Sequence, residues 1–544
     1  MLETNVKSTT IALSEGTRIE YRYLLAFSIA LGCFLRLYRI GSQPLWLDEA
    51  FSHWFSGRTI AELWTVVPRF ETTPPLYYTA LKLWKSVAGS SEAGLRSLSA
   101  VMSIGCIPLV FLLGRFLGKS AGGEWIGAMA ALLLAVAPVQ IQYAQEVRQY
   151  AMLTFGVTLT LCSLLWIMRH PVEACRPLFG RSSGPGNSSA ATPAWALLVI
   201  AASFTLWLHN TAVLFVFTLF LAVLAWFFTE LRLNKVFLGN LAIAGAATLL
   251  LWIPYLVFLI PQAKNASLPI PAPTLQSTFD TVVLLLLGHP VAGTTSPSDV
   301  LKIAVLVLLI LLAAGGLVHI KRHAGLSVSL LILGAIIGPI LLELVISLLF
   351  RPILLTRTLI YVSVPFLFAV AAGIVMVLQK PQKRAFAMVL LALLFLKWDV
   401  TYYRAEEKAG KEPWDRIAQA VAGKAHDSVA LLVPNNIAIP FSYYADRVAG
   451  GGLNIVPLPF PLSDFLHAEL NPERLGTDSL KAIQMRASDI PAIDGLIAGR
   501  SPVWLITRRE DLFDRQALVT NALVHKRVLV SKKEFGEISV YQFR

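Results

Sequence analysis

Long apolar runs separated by short polar stretches fill the first 400 residues. Each run approaches the roughly 20 apolar residues that a helix needs to cross a hydrocarbon core. The pattern predicts about eleven spanning helices, over 22–38, 95–114, 125–141, 150–168, 194–208, 211–229, 237–260, 299–318, 325–349, 358–378 and 385–399. No small-residue cleavage site follows the first run, so it reads as an uncleaved first helix rather than a leader. After residue 400 the periodicity changes. "WDRIAQAVAGKA", "IAIPFSYYAD" and "EDLFDRQALVTNAL" read as helices, while "SVALLVP", "SPVWLIT", "KRVLVSKK" and "EISVYQF" read as strands. The expected architecture is therefore an α-helical membrane domain over 1–399 and a small α/β domain over 400–544.

Charge turns this pattern into a topology. The chain is 56% hydrophobic and 15% charged, against about 25% charged in a soluble domain. Its net charge is +13, yet residues 400–544 hold 18 bases and 17 acids, so the excess belongs to the membrane part. The bases cluster at alternate turns: Lys7, Arg18 and Arg22; Arg115 and Lys119; Arg169, Arg176 and Arg181; Arg232 and Lys235; Lys321 and Arg322; Lys380, Lys383 and Arg384. The positive-inside rule makes those turns cytoplasmic. A bacterial inner-membrane protein with a cytoplasmic N-terminus and a periplasmic tail is expected. The basic excess suits anionic membrane lipids, not nucleic acid. No GxGxxG fingerprint assigns a nucleotide to the tail. Cys33, Cys106, Cys162 and Cys175 lack metal-site spacing and are expected as free thiols.

With that orientation the unusual polar residues gather on the outer side. In "PLWLDEAFSHWF" the adjacent Asp48 and Glu49 repel each other and cost free energy to desolvate. Either Asp48 caps a short interfacial helix, or it serves as a general base. In "ETTPPLYYTALKLW" the Pro74-Pro75 pair ends one element and starts a helix lying in the interface. On that helix Leu76, Tyr77, Ala80, Leu81, Trp84 and Ala88 share a face, and Glu71 before the turn is the candidate second acid. In "YAQEVRQYAML", Tyr143, Glu146 and Tyr150 fall on one helical face, and Gln145 and Arg148 on another. The plain alternative is an ion pair that only fixes the corner. In "RPILLTRTLIYVSVPF", Arg351 and Arg357 either snorkel or bind an anion. Glu343, within a predicted span, calls for a partner, and one of these arginines would suffice. His209 and His289 are isolated and are left outside the site.

The order "LDEAF", "PPLYYTALKLW", "YAQEVRQYAML" resembles the GT-C class of polytopic membrane glycosyltransferases. Within it the chain is most similar to the bacterial family 39 group, which includes protein O-mannosyltransferase relatives, lipid A aminoarabinose transferases and rhizobial lipopolysaccharide glycosyltransferases. The resemblance covers about residues 20–170 and is weaker at "TRTLIYVSVP", where Thr358 follows Arg357 and Pro365 is kept. It implies a GT-C-like core with interfacial helices in the first outer loop and an extracytoplasmic site. It also implies a sugar carried on a polyprenyl phosphate and an inverting transfer. Asp48 would be the catalytic aspartate, with Glu49 its neighbouring acid and Glu71 the acid before Pro-Pro. Arg148, Arg357 and Arg351 would lie on the phosphate side. Gln145, Glu146, Tyr150 and Glu343 would support the motif by pairing. Relatives often carry a basic residue or His where Thr73 stands, so a divalent metal is left open. The acceptor class (glycan, lipid or protein) is open too. Two other classes compete: a flippase for a lipid-linked sugar, and a scaffold displaying the tail.

Overall fold

The computed structural model describes the whole chain except residues 1, 70, 179–190, 232–233, 266–269, 289–296, 410, 423–427, 450–452 and 467–481. Arg181, Arg232 and His289 lie outside the described residues. The chain divides into two compact units. One comprises Met1–Ile40, Arg96–Leu256 and Ile270–Arg404; the other comprises Gly41–Leu95, Val257–Pro269 and Ala405–Arg544. The first loop thus groups with the tail.

In chain order the helices are α1 (Leu2–Leu37), α2 (Leu47–Ser56), α3 (Ile60–Thr65), α4 (Leu76–Ala88), α5 (Glu92–Leu117), α6 (Gly123–Ala135), α7 (Pro138–Ala144) and α8 (Tyr150–Arg169). They continue with α9 (Ala191–Leu206), α10 (Ala212–Thr229), α11 (Lys235–Trp252), α12 (Pro297–Ala324), α13 (Leu326–Leu349), α14 (Ser363–Val377) and α15 (Pro381–Ala409). Each predicted span falls on helical chain, although the one over 125–141 is broken between α6 and α7 and the one over 237–260 runs past the end of α11. Among the described residues seven helices are long and apolar enough to cross a membrane, or eight if the bent pair α6–α7 is one span. The shortfall from eleven has a physical reason. The α1 segment carries Glu20, Arg22 and Arg36, α15 carries Lys383, Arg384, Lys397 and Asp399, and α9 has only 16 residues. The chain is an integral membrane protein.

The membrane unit depends on a broken helix. The α6 and α7 axes meet at 59°. Pro138 has no N–H to give Leu134 O four residues back, so a straight helix is not available there. Arg36, fully buried on α1, fills the gap. It donates to Leu134 O (3.0 Å), Ala135 O (2.8 Å) and Ser103 Oγ (2.8 Å). Gln145, just past α7, answers the same need at the end of α1. Its amide donates to Leu35 O (3.3 Å), Arg36 O (3.1 Å) and Tyr38 O (2.8 Å), carbonyls that a helix end leaves without partners. Gln140 on α7 donates to Ile360 O (3.1 Å) and Ser363 Oγ (2.9 Å), tying the break to the start of α14. Close packing elsewhere needs glycine: a Cβ at Gly316 on α12 would collide with Ala369 O of α14, and one at Gly373 on α14 with Leu312 O.

The second unit is built on a five-stranded sheet of β1 (Val429–Val433), β2 (Asn454–Pro457), β3 (Val503–Arg508), β4 (Leu529–Phe535) and β5 (Ile538–Phe543). Its order is β2-β1-β3-β5-β4. The first strand pairs parallel with β2 and β3, and β5 pairs antiparallel with β3 and β4. All five positions of β1 are buried, which is why it reads as an unbroken apolar run. Two tail expectations change. "NIVP" forms the edge strand β2, whose glycine- and proline-rich flanks hid it. The helix expected over "EDLFDRQALVTNAL" is split at Asp514. Its carboxylate accepts from the N–H groups of Leu518 (2.8 Å) and Val519 (3.0 Å), starting a new helix over Leu518–Val524.

Replacing Arg36 with Met keeps an unbranched apolar stem but removes the donors to Ala135 O and Ser103 Oγ and leaves Leu134 O only the long bond from Ala137 N–H (3.4 Å). Each buried polar group without a partner costs about 1–3 kcal/mol. Thermal or denaturant unfolding of the purified protein should show Arg36→Met less stable by about 2 kcal/mol or more. Equal stability would contradict the clamp.

Candidate functional site

One polar cluster lies in the membrane unit, where the α7–α8 turn, the α9–α10 turn and the segment before α14 converge. Residues 145–149 form a turn, not a helix, so the expected shared face of Tyr143, Glu146 and Tyr150 does not exist. Gln145 leaves the helix because its side chain caps α1. The tyrosines meet across the turn: their rings pack edge to face at 5.4 Å. Arg148 is buried, its carbonyl held by Ser99 Oγ (3.1 Å) and its guanidinium 5.8 Å from the Tyr150 ring. Glu146 and Arg357 both act electrostatically on Tyr143. The Tyr150 ring lies 6.1 Å from that of His209. Burial, and then the charges of Arg148 and Arg357, push His209 down to about 3. Two arginines far apart in sequence therefore bear on one neutral histidine, which the sequence reading had set aside. Arg351 stands at the end of α13, where its N–H bonds Ile346 O (2.9 Å).

Between α8, α9, α10 and α11 is an apolar cavity of about 350 Å³. Leu206, Val213 and Trp252 line the end nearest the α9–α10 turn, and Thr160, Leu198 and Leu241 the far end. Phe217, Phe220 and Leu249 on its rim are exposed, so the cavity opens sideways.

Glu343 is fully buried on α13. The expectation of an arginine partner is not met. Thr358 Oγ1 donates to its Oε2 at 3.0 Å, and the Thr211 hydroxyl and the Leu355 backbone also reach the carboxyl. The residue next to Arg357, not Arg357 itself, holds this acid.

The paired acids belong to the second unit and differ sharply. Neither is the cap of α2: Trp46 holds that position. Glu49 is fully buried and its Oε2 accepts from Trp46 N–H (3.4 Å) and meets Lys411 Nζ (3.5 Å). Asp48 is half-buried one position earlier. Tail residues hold this helix. Glu412 accepts from Leu47 N–H (3.0 Å) and Trp414 Nε1 (2.8 Å) and pairs with Arg508 (2.8 Å). Tyr444 accepts from Leu45 N–H (2.7 Å) and donates to Glu92 (2.8 Å).

Glu71 spends Oε1 on Thr73 N–H (3.0 Å), shaping the turn before Pro74, and its carbonyl accepts from Gln262 (3.0 Å). The α4 helix is apolar on two sides. It buries Tyr77 and Leu81 of the expected face together with Tyr78, which lay outside it, and exposes Leu83 (64%) and Val87 (85%). An exposed apolar stripe on a short helix suits a membrane interface. Among the described residues no three of His, Cys, Asp and Glu come together as a metal site.

The sequence matches no protein-family profile and no curated protein. The structure does match. ArnT from Cupriavidus metallidurans bound to undecaprenyl phosphate aligns with TM-score 0.58 at 13% identity, over 95% of this chain and 97% of that one. Its apo state aligns with TM-score 0.59 at 13% identity, with the same coverage. The oligosaccharyltransferase AglB from Archaeoglobus fulgidus, in complex with an inhibitory peptide and a dolichol-phosphate, aligns with TM-score 0.52 at 11% identity, over 91% and 70%. ArnT, a lipid A aminoarabinose transferase, and AglB share one architecture. This chain has the GT-C fold. At such identity the match speaks for the GT-C scaffold.

The second unit carries a titratable core group. His53 on α2 packs its ring 5.1 Å from that of Tyr443, and its Nδ1 has no partner among the described residues. Burial, with Lys85 and Arg447 near, pushes it down to about 4. The unfolded chain, with an ordinary value near 6.5, binds more protons between those limits. The stability that depends on neutral His53 is therefore complete above about pH 6.5 and is lost as pH falls toward about 4. The thermal midpoint should drop across that window, and His53→Phe should drop less. Equal slopes would remove His53 from the acid response.

Proposed function

We propose that this chain is a membrane glycosyltransferase that moves a sugar from a polyprenyl-phosphate donor to an acceptor hydroxyl on the extracytoplasmic face. The observation that carries the reading is the convergence of Arg148, beside Tyr150, and Arg357 on His209, in the turn joining two helices that line an apolar cavity. Cationic groups close to an apolar cavity suit a lipid phosphate. Guanidinium groups suit phosphate oxygens. The likeness to ArnT and AglB, solved with undecaprenyl phosphate and dolichol-phosphate, supports the same substrate class.

In this reading Asp48 takes the proton of the acceptor hydroxyl as its oxygen attacks the anomeric carbon. The bond from that carbon to phosphate breaks with inversion, and the leaving polyprenyl phosphate gains a negative charge. Arg148 and Arg357 offset that charge, which is larger after the bond breaks than before. Arg351 is a more distant contributor to the same field. Glu49 is not a second base: buried against Lys411, it fixes α2 and so the aim of Asp48. Glu71 shapes the turn that starts α4. The acceptor is a glycan, lipid or protein hydroxyl.

A flippase would need polar groups available along the spans. Here Arg36 is spent on carbonyls and Glu343 on Thr358. A scaffold would not need tail residues fastened onto the helix that carries Asp48.

Asp48→Asn keeps size and shape but cannot take a proton. It should lower transfer by about 10²–10⁴-fold without lowering stability. Glu49→Gln should instead lower stability, because it leaves Lys411 without its charge partner. Transfer by Asp48→Asn within a few-fold of wild type would remove the base.

Arg148→Ala and Arg357→Ala should each weaken lipid-phosphate binding by about 1.5–3 kcal/mol. Gly245 faces the cavity, and a Cβ there would meet nothing within 4 Å. Gly245→Phe should therefore weaken a long-chain polyprenyl phosphate and spare a short-chain one. Unchanged affinity in all three variants would leave only snorkelling arginines and a lipid-facing groove.

A further inference from the structure

We propose that one flank of α4 is a docking surface for an anionic membrane phospholipid. Lys85 and Arg447 hold its phosphodiester, Lys82 adds charge beside them, and Leu83 and Val87 meet its acyl chains. The proposal is independent of the transfer reaction, which gives these residues no role.

A chain of contacts within the second unit brings the cations together. Lys85, in the last turn of α4, donates to Ser56 Oγ (3.2 Å) and reaches His53 O (3.5 Å) at the end of α2. The His53 ring packs 5.1 Å from that of Tyr443. Tyr443 lies on the tail helix Ala438–Ala449, and the guanidinium of Arg447 covers its ring at 3.4 Å. Arg447 also donates to Ser90 O (3.1 Å), just past the end of α4. Lys82 stands one turn before Lys85 on the same side of α4 and bears on it electrostatically. Two helices far apart in sequence thus set three cations on one patch.

No acid of the fold answers them. Among the described residues no carboxylate forms an ion pair with Lys82, Lys85 or Arg447. Glu92, at the start of α5, accepts from Tyr444 instead (2.8 Å). Asp446, next to Arg447 in sequence, is exposed and makes no such pair. Arg447 is exposed and both lysines are half-buried, so the patch is open to an incoming anion. Like charges held together repel, and a phosphodiester among them turns that repulsion into charge-assisted hydrogen bonds.

The apolar stripe narrows the anion to a lipid. Leu83 and Val87, four residues apart, share the exposed side of α4 beside the basic flank. Basic residues along an exposed apolar stripe are the form of a helix that lies in the interface and holds anionic lipid. A soluble anion has no use for Leu83 and Val87, whereas an acyl chain covers them. The bound headgroup touches the same ammonium that holds the end of α2, the helix that carries Asp48. Lipid composition therefore bears on how firmly α2 is held.

The test titrates phosphatidylglycerol and phosphatidylcholine onto the full-length protein in detergent and reads bound lipid by native mass spectrometry. Wild type should retain phosphatidylglycerol several-fold more tightly than phosphatidylcholine. Lys85→Gln and Arg447→Gln should each weaken phosphatidylglycerol about tenfold, the scale of one hydrogen bond to a charged group, and Lys85→Arg should keep most of the affinity. Leu83→Gln combined with Val87→Gln should weaken it too, without touching a cation. Equal retention of the two lipids by wild type would overturn the proposal. So would glutamine variants that lose thermal stability but bind phosphatidylglycerol as wild type does, because Lys85 and Arg447 would then only close the ends of α2 and α4. Full affinity in the Leu83–Val87 variant, or displacement of the lipid by inorganic phosphate, would make this a site for a free anion and overturn the lipid.

Discussion

A carbonyl without a donor inside a membrane is the constraint on which this structure turns. Pro138 takes from Leu134 O its helical donor, leaving it a long bond from Ala137 N–H (3.4 Å), and the end of α1 leaves further carbonyls without their helical donors. The chain answers with Arg36 and Gln145, each donating toward the other's helix. These contacts explain a buried arginine that, among the described residues, has no carboxylate within hydrogen-bonding distance and feels Asp399 only through space. They also decide the path of the chain. Because α7 leaves α6 at 59°, the α7–α8 turn is redirected, and Gln140 fastens the same helix to the start of α14. Arg148 and Arg357 are brought to one histidine by a repair of backbone hydrogen bonding.

The second unit solves a different problem, that of two adjacent acids. Burying both charges would cost far more than one ion pair returns. The fold separates them by burial. Glu49 goes inside with Lys411 and the start of α2, and Asp48 stays half-open. The tail supplies the lysine, and its neighbour Glu412 holds the next N–H. The α/β domain is thus part of what shapes the first loop, and a loop helix of ten residues needs such help, since short isolated helices are marginal.

The legible part of the sequence was the part written in periodicity. Apolar runs located every spanning helix, and short apolar or alternating runs found four of the five strands. What failed depended on single contacts between distant residues. The heptad-like spacing of Tyr143, Glu146 and Tyr150 suggested one face, but Gln145 leaves the helix to cap α1, a partner more than 100 residues away. Glu343 called for an arginine, and the fold gave it the hydroxyl of Thr358. His209 looked isolated because its company arrives from Arg148 and Arg357, far away in sequence. Lys411 could not be matched to Glu49 without the fold. A charged residue in an apolar chain announces that it has a partner; it does not say which.

Cleavage of a lipid-linked sugar from its carrier, rather than its passage across the membrane intact, is the step proposed for this chain. Purified protein in liposomes, given a polyprenyl phosphate carrying a labelled sugar and a mixed envelope acceptor fraction, separates the two. Free polyprenyl phosphate should appear in step with labelled acceptor. Labelled lipid crossing the bilayer whole, with no polyprenyl phosphate released, would overturn the proposed transfer.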